Sequence, residues 1–328
     1  MGGDAVRLVI QIPCFNEEAT LPAVVADLPR HIPGIDDIRV LVIDDGSTDR
    51  TVEVARRLGV DHILGNRVNQ GLARTFQAGI DHALALGADI IVNTDGDNQY
   101  AGASIPDLVR PVVEGRAEVV IGDRRPDRNP EFPFLKRRLQ WLGSRVVGRL
   151  AGVAVGDAVS GFRAYSRDAA LKLNVMTAFS YTTETLIHAG QGGLRIVSVP
   201  VATNPATRPS RLSRSMWGFL WKQLITIVRS VFMYRALSAF VALGLGMVLL
   251  GTLPILRFLY FYVSGDGDGH IQSLVLGSLC FALGFMTLVI AFLGDAVATN
   301  RRLLEKTLER VRRLELAARA GDDPDAAG

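Results

Sequence analysis

Cysteine is scarce. Cys14 and Cys280 are the only two in 328 residues, and each lies in an apolar stretch far from the other, which argues against a disulfide framework and fits a reducing compartment. Charge is also low, at 21% of residues against 48% hydrophobic, so part of the chain is not built for water. No internal repeat is found. The amino terminus lacks the basic leader of a secretory signal, because "VRLVIQIPCF" runs straight into polar sequence. A net charge of +3 suits nucleic acid, anionic lipid or a phosphorylated substrate alike. The cations cluster beside apolar segments and no nucleic-acid-binding motif is present, so no nucleic-acid partner is expected.

Charge is missing altogether from residues 236–256 and 271–294. Both runs exceed the roughly 18 residues that mark a membrane-crossing helix; a pair of buried core helices is the alternative. The connector "SGDGDGH" between them predicts a transmembrane hairpin over 236–295, with spans at about 236–262 and 271–295. Arg229 and Arg235 precede the first span, and Arg301, Arg302, Lys306, Arg310, Arg312 and Arg313 follow the second, while the connector carries Asp266 and Asp268. The positive-inside tendency then places both termini and the amino-terminal domain on the cytoplasmic side of a multi-pass protein of the cell (inner) membrane. Arg257, beside Tyr260, Phe261 and Tyr262, would snorkel to the far interface. A transporter is disfavoured, since the interior of neither span, 236–256 or 271–294, holds an Asp, Glu, Lys, Arg or His.

Ahead of the hairpin, residues 213–235 mix arginines with Trp217, Phe219, Trp221, Phe232 and Tyr234. They read as an amphipathic helix lying in the membrane interface, an ordinary surface helix being the alternative. Residues 296–328 read as a cytoplasmic helix and tail. Residues 1–212 alternate short β-rich runs ("RLVIQIP", "IRVLVID", "DHIL", "DIIVNTD", "AEVVIGD", "LRIVSVPV") with helical patterns. That succession predicts an α/β domain with a largely parallel sheet, helices on both faces, and ligands at the carboxyl ends of the strands.

Polar motifs fall at those strand ends. "NTDGDNQY" places Asp95, Asp97 and Gln99 at alternate positions. Two carboxylates around Gly96, a glycine that lets the backbone approach a ligand, could hold Mg²⁺ or Mn²⁺ in a shell that phosphate oxygens complete, and the pair alone fits a simple turn and cap equally well. In "VIDDGSTDRT", Gly46 permits a tight turn, Ser47 or Thr48 can cap the next helix, Asp49 suits the helix dipole, and Asp44 faces the ligand crevice, able to accept from a base or ribose. In "IPCFNEE", Pro13 and Phe15 can flank a planar ring and Glu17 can accept from a sugar hydroxyl. Cys14 has no neighbouring base and reads as structural.

These elements, in this order, resemble the family 2 glycosyltransferases over residues 7 to about 215. The resemblance implies an α/β GT-A fold, a doubly wound mixed sheet, followed here by the interfacial helix and the two-helix hairpin. A closer likeness is to polyprenyl-phosphate glycosyltransferases, including dolichol-phosphate mannose synthases, whose metal motif D-x-D-x-Q matches Asp95, Asp97 and Gln99. It implies nucleotide contacts at Pro13, Phe15, Glu17, Asp44, Asp95 and Gly96. It places Arg124 of "GDRR" at the donor or acceptor phosphate, Ser160 and Arg163 of "SGFRAY" near the acceptor, and Arg208 and Arg211 of "RPSRL" on the acceptor phosphate. Arg211 stands where many relatives have lysine, which keeps the charge and alters its geometry. Arg138 and Ser144 are candidates for a further acceptor-binding pair. Asp97, Arg124, Arg208 and Arg211 form the implied catalytic set. A homo-oligomer, plausibly a tetramer, is also implied.

The implied reaction is inverting transfer of a hexose from a UDP- or GDP-sugar to a polyprenyl phosphate at the cytoplasmic membrane face. A phosphate monoester is already an anion at neutral pH, so no general base is needed. Asp157 is a candidate base, but a structural role in the acceptor loop is preferred. The alternative is a family 2 enzyme with a polysaccharide or other non-prenyl acceptor; processive relatives carry Q-x-x-R-W, of which "WKQLITIVRS" is a loose echo.

Overall fold

The computed structural model describes residues 5–125, 134–175, 181–205, 221, 225, 236–265 and 270–321. They divide into two compact units, one of residues 1–227 with 308–328 and one of residues 228–307.

The first unit is built on strands β1 (Arg7–Cys14), β2 (Asp37–Asp44), β3 (His62–Gly65), β4 (Ile90–Asn93), β5 (Val119–Asp123), β6 (Arg163–Ser166) and β7 (Ile196–Pro200). They form one sheet in the order β3-β2-β1-β4-β6-β5-β7. Pairing is parallel except at β6, which runs antiparallel to both β4 and β5. The expected runs all became strands, and the mixed sheet is the GT-A arrangement. β6 was not foreseen: four residues reading "RAYS" carry too little alternation to register as a strand. Leu8, Val9, Ile10 and Ile12 of β1 are wholly buried on both faces, which is why that strand reads as a continuous apolar run.

Helices α1 (Leu21–Asp27), α2 (Thr51–Arg57), α3 (Leu72–Ala85), α4 (Ile105–Val113), α5 (Phe134–Ala151), α6 (Arg167–Lys172) and α7 (Tyr181–Gln191) connect the strands. On α3, Ala73, Phe76, Ile80, Ala83 and Leu84 recur at spacings of three and four and are buried, the stripe that docks a helix on a sheet. At the carboxyl end of α6, Arg312 donates to the carbonyls of Leu171 at 3.3 Å and Leu173 at 2.6 Å and pairs with Asp81 of α3 at 3.1 Å. It thereby satisfies carbonyls that a helix end leaves without partners.

The second unit holds α8 (Ala236–Val263) and the first part of α9 (Ile271–Gly321). Both helices are long and apolar enough to cross a membrane. They meet backbone to backbone. A Cβ on Gly251 would stand 2.6 Å from the Gly277 carbonyl oxygen, and one on Gly284 would stand 2.8 Å from that of Gly244. Small residues at such a seam are how helices associate where lipid removes the hydrophobic drive. Leu249, Leu253, Phe285 and Phe292 point outward and are exposed. Of the interfacial helix expected over 213–235, only Trp221 and Ile225 are among the described residues, and both are helical and exposed.

Candidate active site

The ends of β1, β2, β4 and β5 bring the polar motifs to one edge of the sheet. Strands β1 and β2 are in register, so Cys14 lies beside Asp44 and the loops that follow are neighbours. Asn16, at φ 55°, stitches them: its N–H donates to Ser47 Oγ at 2.9 Å and its side-chain oxygen accepts from the Thr48 amide at 2.8 Å. The Glu17 amide donates to Thr51 Oγ1 at 2.8 Å. Ser47 and Thr48 are therefore engaged with the first loop and do not cap α2. Asp49 takes that place, accepting from the Thr51 amide at 2.9 Å, and these hydrogen bonds outweigh its burial and lower its carboxyl's proton affinity. Glycine is required at position 46, where φ is 72° and a Cβ would stand 2.7 Å from the Val68 carbonyl carbon.

Asp44 is buried and accepts from the Ser47 amide at 3.2 Å. Pro13 is buried and Phe15 is exposed. Glu17 is buried, with Oε2 accepting from Thr20 Oγ1 at 2.7 Å. Cys14 is buried; burial first, then the carboxylates of Glu17 and Asp44, push its thiol up, consistent with a structural residue. Asp45 is a participant the sequence reading missed. Its Oδ1 accepts from Asn66 Nδ2 at 3.0 Å and the Gln70 amide at 2.8 Å, and its Oδ2 from the Gly71 amide at 2.9 Å. The doublet Asp44–Asp45 was the available signal; its second member fastens the loop between β3 and α3.

At the end of β4, Asp95 and Asp97 are half-buried. Asn98 adopts φ 58°, which folds the chain so that the Gln99 amide donates to Asp97 Oδ1 at 3.1 Å. The Gln99 carbonyl accepts from the Asn204 amide at 2.9 Å. Burial, then the neighbouring Asp97 and Glu17 against the opposing Arg124, pushes the Asp95 carboxyl up to about 7. An environment that raises proton affinity through burial and a like charge favours any cation, and hard carboxylate oxygens fit Mg²⁺ or Mn²⁺. Among the described residues no three His, Cys, Asp or Glu side chains gather as a complete metal cage. A Cβ on Gly96 would meet Cys14 Sγ at 3.1 Å and the Pro13 carbonyl oxygen at 3.2 Å. Glycine lets this turn sit against the end of β1.

Arg124 follows β5. Its Nε donates to Asp157 Oδ2 at 2.6 Å and its Nη2 to Oδ1 at 3.1 Å, and its guanidinium carbon lies 5.7 Å from the centre of the Tyr100 ring. Burial opposes its charge, but Tyr100, Asp157 and Asp95 together raise its basicity further. Burial pushes the Tyr100 hydroxyl up to about 12, with Arg124 opposing, so it stays a hydrogen-bonding group.

The segment 157–161 is held from several sides, by three residues that the resemblance places near the acceptor. Arg163 is wholly buried, donating to the carbonyls of Ser160 and Ala158, both at 2.8 Å, and to Thr185 Oγ1 at 2.9 Å. Ser144 is buried and its Oγ accepts from the Ala158 amide at 3.1 Å. Ser160 is buried and donates to Tyr100 Oη at 3.4 Å. These residues brace the loop from within. Asp157, wholly buried against Arg124, has the structural place preferred for it over a base. Arg208 and Arg211 lie outside the described residues, as does the side chain of Arg138.

Behind Asp95 runs a buried polar chain that the motifs did not reveal. Gln11 Nε2 donates to Asn93 Oδ1 at 2.9 Å, and Asn93 Nδ2 donates to the Gly161 carbonyl at 2.8 Å and to Tyr181 Oη at 3.2 Å. Tyr181 stacks on Phe76 with ring centres 4.3 Å apart.

The profile described as "Glycosyl transferase family 2" matches residues 9–173. An undecaprenyl-phosphate mannosyltransferase of Micrococcus luteus is 29% identical over 60% of this chain and 81% of its own length. A UDP-N-acetylglucosamine–dolichyl-phosphate N-acetylglucosaminyltransferase of Methanococcus voltae is 31% identical over 58% of this chain and 83% of its own. Among solved structures, a glucosyl-3-phosphoglycerate synthase of Mycobacterium tuberculosis, crystallised with Mn²⁺, UDP and glucosyl-3-phosphoglycerate, superposes with a TM-score of 0.52 at 22% identity, covering 69% of this chain and 79% of that one. That likeness shows the fold.

Proposed function

Because the chain belongs to glycosyl transferase family 2, we propose that it transfers a hexose, with inversion, from a UDP- or GDP-sugar to a polyprenyl phosphate at the cytoplasmic membrane face. The observation that carries this reading is the convergence of the Asp95–Asp97 pair and Arg124, whose charges act on one another at the ends of β4 and β5. Relatives named for undecaprenyl and dolichyl phosphates support the acceptor class. The two apolar helices give a reason for a lipid acceptor, since drawing an isoprenoid out of a bilayer costs about 0.8 kcal/mol per CH₂.

Asp95 and Asp97, with Gln99 in the same turn, would hold Mg²⁺ or Mn²⁺, which when bound neutralises the diphosphate leaving group. Pro13, Phe15, Glu17 and Asp44 line the place for the nucleoside, Phe15 offering a ring face. Arg124, kept charged by Asp157, directs positive potential toward the donor or acceptor phosphate. Arg208, Arg211 and Arg138 are assigned to the acceptor phosphate. The acceptor oxygen is already anionic, so the protein needs to orient it in line with the anomeric carbon and offset the repulsion between two phosphates.

The test is incubation of the detergent-solubilised full chain with polyprenyl phosphate, Mn²⁺ or Mg²⁺ and a panel of nucleotide sugars, with products read by mass spectrometry. A glycosylated, mild-acid-labile lipid is expected. Sugar found only in a polymer or a water-soluble product would overturn the acceptor assignment.

A further inference from the structure

Helix α5 has two chemically different sides. Ser144, Val147 and Leu150 are buried. Trp141 and Leu142 are 47% and 53% exposed, and Arg145 and Arg149 are exposed with them. At about 100° per residue these four positions fall within an arc of about 100°. Arg145 lies over the Trp141 ring, its guanidinium carbon 4.8 Å from the ring centre. The helix sequence "FLKRRLQWLGSRVVGRLA" contains five Lys or Arg and no Asp or Glu.

Water alone does not favour such a face, because it leaves adjacent Trp and Leu side chains solvated on a helix whose charges are all of one sign. An amphipathic helix in a membrane interface has this composition: an aromatic and an aliphatic residue at headgroup depth, with cations among anionic headgroups. A protein partner would need acidic groups set around an apolar socket, whereas an anionic bilayer supplies both chemistries at once. We propose that the outer face of α5 is a bilayer contact in its own right, with Trp141 and Leu142 entering the headgroup layer and Arg145 and Arg149 pairing with anionic lipid. This inference rests on the reading of the chain as an enzyme acting at a membrane.

The chain has three tryptophans, so Trp217→Phe with Trp221→Phe leaves Trp141 as sole reporter. The full chain carrying these changes is placed in nanodiscs containing anionic lipid, with and without brominated acyl chains. A second protein, with all three tryptophans changed to Phe and Leu249→Trp, reports on the hairpin. Trp141 is expected to lose about half its emission to brominated lipid, as befits a side chain about 5–10 Å into the boundary. Adding Arg145→Glu and Arg149→Glu should reduce that loss. Quenching of the tryptophan at position 249 without quenching of Trp141 would overturn the inference and leave the proposed function standing. Failure of both reporters would overturn the membrane reading and the inference together. Trp141 shielded from both brominated lipid and aqueous acrylamide would mean a second copy or another protein covers the face, which also overturns it.

Discussion

Arg124 and Asp157 form a two-bond ion pair, 2.6 Å and 3.1 Å, with the carboxylate wholly buried and the guanidinium nearly so. A pair of this kind is costly to break because the remaining charge has no solvent. Asp157→Ala should therefore destabilise the protein by about 3 kcal/mol or more, with a smaller loss for Asp157→Asn. Thermal unfolding of the two variants checks this, and equal stability to the parent would mean that Arg124 finds another acceptor.

Asp97 is only half-buried, and its side chain accepts a hydrogen bond from the Gln99 amide of its own turn. Asp97→Ala should leave the unfolding temperature almost unchanged while lowering transfer by about 100- to 1,000-fold, the scale of losing one electrostatic contact to developing charge. Turnover at the parent rate would remove Asp97 from the metal assignment.

The Asp95 carboxyl, pushed up to about 7 by burial and by Asp97, must lose its proton before it can ligate a cation. Mn²⁺ affinity should rise about tenfold per pH unit below that value and level off above it, as followed by electron paramagnetic resonance. The sign for folding is the reverse. A carboxyl whose folded-state value exceeds its unfolded one contributes stability at low pH that is lost as pH climbs through about 7. Asp95→Asn should consequently stabilise the metal-free protein at neutral pH and abolish its thermal response to Mn²⁺. A variant that still responds would place the ion elsewhere.

Arg312 satisfies the carbonyls of Leu171 and Leu173 and pairs with Asp81. Arg312→Ala should cost about 1–3 kcal/mol, because two carbonyls and a carboxylate lose their partner together. Hydrogen exchange at the end of α6 should quicken in the same variant. Unchanged protection there would show that the remainder of the α9 tail suffices.

What could be read in advance was local. The apolar runs and the polar residues ending them gave β1, β2, β4 and β5 and placed Asp44, Asp95 and Asp97 at one edge, because a strand and the residue that leaves it are adjacent in sequence. The uncharged stretches of α8 and α9 were equally plain. The surroundings of the other site residues depended on contacts across the chain. Whether Arg163 reaches a phosphate or a carbonyl is decided by Thr185, Ala158 and Ser160 around it, and Ser144 points to Ala158 only because α5 packs on that side. Glycine at 96 was read as room for a ligand, and its close approach to the end of β1 is a contact between distant segments that the motif does not show. The polar chain through Gln11, Asn93 and Tyr181 draws on three distant segments, and no short motif contains it.

The three donors that converge on Asp45, from Asn66, Gln70 and Gly71, also bear on enzyme engineering. A chimera that moves residues 66–71 of this chain into another protein would carry over the donors without the acceptor that seats them. Such grafts should succeed only where the recipient's DD doublet is kept or transplanted together with the loop.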